Sequence, residues 1–239
     1  MGNANSIRLH YENASRTGVF TLKDAKLKEF PEHLVKLSRN IRSLDLSDNR
    51  IKTIPTFMAL FTSLKHLILN NNCIIGLPDE INRLIKLDTL SLTKNRLTRI
   101  PSDLSCLTSL RIVNLNFNQL TSFPMALVKL KNLEVVDLSH NKIKSIPDGV
   151  ADLQALEVNL NQNQVTTVSP DICQCKRLKV LRLEENCLNL SSIPVDLLSE
   201  SKISLLAVDG NLFKLKEFQN LPGYESYLER YTATKKKMM

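Results

Sequence analysis

The chain has 239 residues, 43% of them apolar, a formal net charge of +8 and only six glycines. That balance suits a folded globular protein. It offers no run of 18 apolar residues for a membrane span, no apolar leader, and little glycine for a phosphate-cradling loop: neither G-x-x-x-x-G-K-S/T nor G-x-G-x-x-G occurs, and H-E-x-x-H is absent as well.

The first element is chemical rather than structural. Met1-Gly2-Asn3-Ala4-Asn5-Ser6 fits the pattern for N-myristoylation of Gly2 after loss of Met1, with Ser6 as the hydroxyl contact for the transferase. Small polar residues at 3–5 let an extended peptide thread an acyl-transfer channel. One myristoyl chain binds a bilayer only marginally, about 10⁴ M⁻¹, so a second signal is required. No cysteine stands near Gly2, which leaves the Lys235-Lys236-Lys237 run at the far end as the candidate. Residues 5–16 read as a capping helix with Ile7, Tyr11 and Ala14 on one side.

From residue 17 onward one phrase returns. Asparagine recurs at 49, 72, 95, 118, 141, 163, 186 and 211, at spacings of 23, 23, 23, 23, 22, 23 and 25 residues. Leu44 and Leu46 precede Asn49, and Leu90 and Leu92 precede Asn95, each five and three positions ahead. This alternation predicts a short strand with one buried face. An apolar residue follows two positions after each of the first seven asparagines, such as Ile51 and Leu97. Pro55, Pro78, Pro101, Pro124 and Pro147 then stand six positions after Asn and end the extended run. Apolar pairs such as Ile81 with Leu84 predict helical or 3₁₀ turns beyond. The pattern L-x-x-L-x-L-x-x-N-x-L is the leucine-rich repeat signature. One copy cannot bury its apolar face alone, so stacked copies form an α/β solenoid, a horseshoe with a parallel sheet on its concave face. A degenerate first copy, with Phe20, Leu22, Leu27, Phe30 and Pro31, brings the total to about nine, and Ala25 replaces its Asn. The asparagines read as structural, their amides bonding backbone groups where the strand turns out of the sheet.

Residues that alternate with the leucines face the concave side. Among them Ile68 and Arg182, with Phe117 and His140 just before their asparagines, are the candidate anchors for a protein partner, because aromatic residues and Arg dominate interface energetics. Asp137, Ser139 and His140 invite a triad reading, but one strand cannot fold back to set a base between them. No catalytic residue, cofactor, metal or small-molecule substrate is expected. Five cysteines, an odd number placed mid-solenoid, read as unpaired thiols of a reducing compartment, and Cys173-x-Cys175 lacks metal-ligand spacing. After Pro222-Gly223, Tyr224, Tyr227, Leu228 and Tyr231 share one helical face and close the far end. The chain therefore divides into 1–16, acylation motif and cap; 17–215, solenoid; and 216–239, cap and basic tail.

Charge is uneven: residues 1–40 and 201–239 each hold seven Lys/Arg against four Asp/Glu. The concave columns lack the basic stripe of a nucleic-acid reader, so none is expected as a partner. Over about residues 17–215 the 23-residue repeat resembles the intracellular leucine-rich repeats of Ras-pathway scaffolds. The resemblance implies a lipid-anchored intracellular repeat protein without enzymatic activity. The sequence reading is thus a monomeric adaptor at the anionic cytoplasmic leaflet, attached through Gly2. Its rival is a soluble regulatory subunit of a phosphatase or small GTPase that carries no lipid. The 22-residue copy and the displaced Pro170 and Pro194 leave the curvature over 155–200 open.

Overall fold

The computed structural model describes residues 4–238, with side chains from 8 to 236. In chain order it runs α1 (Ala4–Thr17), β1 (Val19–Thr21), β2 (Ser43–Asp45), β3 (His66–Ile68), β4 (Thr89–Ser91), β5 (Ile112–Asn114) and β6 (Val135–Asp137). It continues with β7 (Ser145–Ile146), β8 (Glu157–Asn159), β9 (Thr167–Val168), β10 (Val180–Arg182), α2 (Val195–Ser199), β11 (Leu205–Ala207), α3 (Leu215–Gln219) and α4 (Tyr224–Met238). Nine strands form one parallel sheet in the order β1-β2-β3-β4-β5-β6-β8-β10-β11, one strand per coil.

Each three-residue strand buries its central residue, from Phe20 and Leu44 to Leu181 and Leu206. The leucines two positions further on, such as Leu46 and Leu92, are fully buried too. At about 1.5–3 kcal/mol for each fully buried aliphatic side chain, stacking is what holds so short a strand in place. Three of the five prolines introduce the expected 3₁₀ turns: Pro55, Pro78 and Pro124 lie extended ahead of Thr56–Leu60, Asp79–Arg83 and Met125–Lys129, whereas Pro101 and Pro147 lead into plain turns. Pro170 starts a further 3₁₀ turn behind Ser169, and Pro194 introduces α2. The 22-residue copy leaves the main sheet intact, since Val136 pairs with Val158 and Val158 with Leu181. Its missing residue is absorbed on the outer arc. There β7 pairs with β9, a small second sheet that the repeat pattern did not announce.

The asparagine ladder follows one geometry. Asn118 Nδ2 donates to the carbonyls of Leu92, Leu115 and Asn116 at 2.9, 3.0 and 3.2 Å, and its Oδ1 accepts from Leu97 N–H at 2.9 Å. Two of those partners belong to the preceding coil, so the amide rivets coil to coil as well as closing its own turn. In the first coil, where Ala25 stands for Asn, Asn49 Oδ1 accepts from both Ala25 N–H and Leu27 N–H.

Two helices close the ends. Helix α1 stops at Gly18, whose φ of +71° turns the chain back, and a Cβ there would meet Asn40 O at 2.8 Å. His10 and Tyr11 pack on Phe20, with ring centroids 6.4 and 5.1 Å apart. The helix therefore runs antiparallel to β1, and its first turn lies on the side where strands end. At the other end Tyr227 Oη accepts from Leu206 N–H at 3.1 Å and donates to Leu206 O at 3.3 Å, occupying the outer edge of β11. Arg230 donates to the carbonyls of Leu198 and Ile203, at the end of α2 and just ahead of β11. Contacts move from Leu206 back to Ile203 as α4 advances, so its lysine-bearing last turns extend past the side where strands begin. One expectation fails here. Tyr224, Tyr227 and Tyr231 pack inward as read, but Leu228 is 45% exposed, because the inward face follows the i, i+3, i+7 series.

Candidate interaction surface

Strand pairing assembles the concave rows. Ile68, Ser91, Asn114, Asp137, Asn159 and Arg182 fall in continuous register. Ile68 and Arg182 thus share a row but stand five strand steps apart, roughly 24 Å. They are half-buried and do not converge. Arg182 Nε donates to Glu157 Oε1 at 3.0 Å, so this candidate anchor is already held by an acid of the preceding coil.

Phe117 and His140 do come together. Each occupies the position just before its asparagine, where the chain leaves the strand in a left-handed turn with φ of +52° and +53°. The same turn recurs at Asp48, Asn71, Lys94, Gln162 and Glu185, and the last coil uses Gly210 at φ +75°. Asp48, Asn71 and Gly210 are residues that tolerate the conformation; an aromatic such as Phe117 there is uncommon. The two rings stack with centroids 3.7 Å apart and planes 13° off parallel. Lys94 Nζ sits 5.6 Å from the Phe117 centroid, within cation–π range. Phe117 is nonetheless 42% exposed. The result is a rigid Lys94–Phe117–His140 row on the rim of the concave face. Their spacing of 23 residues puts Phe117 and His140 on neighbouring coils but does not announce the stack, and Lys94 carries no signal because a lysine before Asn reads as solvated.

The polar floor beside this row is internally bonded. Ser139 donates to Asp137 Oδ1 through both N–H (3.0 Å) and Oγ (2.7 Å), and Asn116 Nδ2 donates to Asp137 Oδ2 at 2.8 Å. The Ser139 hydroxyl thus points at a carboxylate, while the imidazole of His140 lies on Phe117. Asn116 Oδ1 is buried and accepts no hydrogen bond within the described residues. Upstream, Asn70 Oδ1 accepts from Ser91 Oγ and Thr93 N–H, and Lys23 Nζ pairs with Asp45 at 2.8 Å, which raises the lysine pKa.

All five cysteines are free thiols. Cys106 is exposed, whereas Cys175 is buried with Sγ donating to Val150 O at 3.1 Å. Burial pushes the Cys173 thiol up to about 11 and that of Cys175 to about 12. Gly2 lies outside the described residues, as do the side chains of Ser6 and Lys237; Lys235 and Lys236 are exposed on α4.

A parallel strand per coil, an asparagine rivet in eight of the nine coils and capped termini define a solenoid repeat protein. Leucine-rich repeat models match residues 39–97, and also 85–126 and 108–154. A leucine-rich repeat protein of Leptospira interrogans superimposes with a TM-score of 0.73 at 32% identity, over 80% of this chain and 48% of that one. The chain is a leucine-rich repeat protein, and it spans about half the length of the Leptospira protein. At lower identity the fold alone is shared with two further structures. One is the plant peptide hormone receptor RGFR1 in complex with RGF2 (TM-score 0.66, 22% identity, 81% of this chain and 32% of that one). The other is the LRIM1/APL1C complex (TM-score 0.68, 23% identity, 81% and 35%). Leucine-rich repeat solenoids are typically non-enzymatic interaction scaffolds.

Proposed function

We propose that the protein is a non-enzymatic adaptor that holds a protein partner against its concave sheet and resides at a membrane through myristate on Gly2. The observation that carries the binding half is the Lys94–Phe117–His140 row, a partly exposed aromatic locked in a left-handed turn between two cations or cation-forming groups. Such an anchor is preorganised, so little side-chain entropy is lost when a partner covers it. Ile68 and Arg182 mark the extent of the footprint rather than its centre. Complexes formed by RGFR1 and by LRIM1/APL1C support the choice of a protein partner. Resemblance to Ras-pathway scaffolds and the Met1-to-Ser6 motif support residence at a cytoplasmic leaflet.

Photo-crosslinking in cells tests the face, with the reactive residue placed at Asn114 on the sheet or at Asp103 on the outer arc. Adducts from Asn114, lost when Phe117→Ala is added, are the expected result; adducts from Asp103 alone overturn it. Intact mass and membrane fractionation, beside Gly2→Ala, test the anchor. An unmodified Gly2 in a wholly soluble protein would favour the lipid-free regulatory subunit of a phosphatase or small GTPase.

A further inference from the structure

The two flat flanks of the horseshoe differ. The flank where strands begin is basic, with Lys65, Lys86, Lys131 and Lys176 exposed, but acids are interspersed. Arg111 there pairs with Glu134 at 2.8 Å and approaches Asp88 at 4.0 Å. The flank where strands end has another pattern. In the loops after Asn49, Asn95 and Asn141 the first, third and fourth positions supply Arg50, Lys52, Arg96, Arg99, Lys142 and Lys144, all exposed. Neither those positions nor the same ones in the intervening two coils hold an acid. None of the six cations forms a salt bridge among the described residues. Ile75, 59% exposed, lies among them. Asp79, lower on the outer arc, is the acid that shares a groove with Arg99.

We infer that this strand-end flank is a docking face for an anionic phospholipid surface, and that it supplies the second signal a single acyl chain needs. The inference rests on the acylated-adaptor reading above. Loops from five successive coils set the cations along roughly 19 Å of one flank, close enough together to meet a bilayer within one Debye length of about 8 Å. Helix α1 directs its first described turn, from Ala4, to this same side as the cations. Lys235 and Lys236 extend past the opposite side and from the opposite end, so they are not the partner of the acyl group. Lying on this flank, the molecule leaves its concave sheet open sideways to a protein.

The test is co-sedimentation with phosphatidylcholine vesicles containing about 30% phosphatidylserine at about 0.15 M salt. Wild type is compared with Lys52→Gln/Arg96→Gln/Arg99→Gln/Lys144→Gln and with the start-flank control Lys65→Gln/Lys86→Gln/Lys131→Gln/Lys176→Gln, all acylated and matched for thermal midpoint. Each cation near such a surface is worth roughly fivefold in partitioning, so the first set should lose on the order of a hundredfold or more. The control set should lose far less. Equal losses, or loss in the control set alone, overturn the inference, as does tighter binding to duplex DNA than to vesicles in the same buffer. The series is repeated with unacylated protein at about 0.05 M salt, where screening is weaker. A Gly2 that proves unmodified in cells would then sink the anchor while the flank is still judged.

Discussion

Asn118→Ala should open the solenoid from its middle. The side chain is 7% exposed and makes four hydrogen bonds to backbone, two of them, to Leu92 O and Leu97 N–H, reaching the preceding coil. Alanine leaves the Leu97 N–H facing a void too tight for solvent to enter freely, while the Leu92 carbonyl keeps Asn95 Nδ2 at 3.1 Å. Each buried group stranded in this way costs about 1–3 kcal/mol. The carbonyls of Leu115 and Asn116 lose a donor as well, though they lie in the same turn. One stranded donor and three carbonyls that each keep another partner give a destabilisation of about 2–4 kcal/mol. In a linear array the loss concentrates at the interface between coils, so the two halves should separate in stability. Urea unfolding followed by circular dichroism reads the size. Hydrogen exchange reads the place, with faster exchange at Leu97 and Leu120 than at Leu44. A loss below about 1 kcal/mol, or uniform exchange along the chain, would refute the view that the asparagine joins coils rather than merely shaping its own turn.

Tyr227→Phe should cost about 1–3 kcal/mol in urea unfolding, because Leu206 loses both a donor and an acceptor. Burial also raises the Tyr227 pKa above its ordinary 10.0. The unfolded chain then ionises first, so this contribution is complete below pH 10 and fades as pH rises through the higher folded value. Denaturation across alkaline pH should show that slope, flattened in the Phe variant. Thiol labelling at pH 8 should modify Cys106 first and Cys175 last, since Cys175 is buried and its thiol is pushed up to about 12; early labelling of Cys175 in folded protein would contradict the packing. Gly18→Ala should lower the thermal midpoint and loosen α1, seen as faster proteolysis near residue 17, because both the φ of +71° and the 2.8 Å approach of Asn40 O oppose a Cβ.

Much of this fold was legible because a repeat states its core many times over. Leu67 alone says little, but Leu44, Leu67, Leu90 and Val113 in one register say that a column is buried, and the asparagines gain their meaning the same way. Legibility fell where a feature occurs once. Leu228 was assigned to the inner face because tyrosines flank it, and a single helix turn leaves a side chain at i+4 free to fall on either side. The pairing of β7 with β9 occurs at one place on the outer arc and has no counterpart in the repeat pattern. Phe117 and His140 were read as neighbours in a column, yet the 3.7 Å stack and the part played by Lys94 follow from a left-handed turn that only three dimensions display.

The hydroxyl of Tyr227 also governs growth. A parallel array ends in an edge that matches its own next layer, and identical molecules could in principle add head to tail without closure, as heterologous contacts do when they run into fibres. At the β11 end the only backbone pair pointing outward from the middle of the strand, that of Leu206, is already satisfied by one phenol. With Arg230 holding the Ile203 carbonyl and α4 lying across this end, the outer edge of β11 offers a further layer no free partner at Leu206.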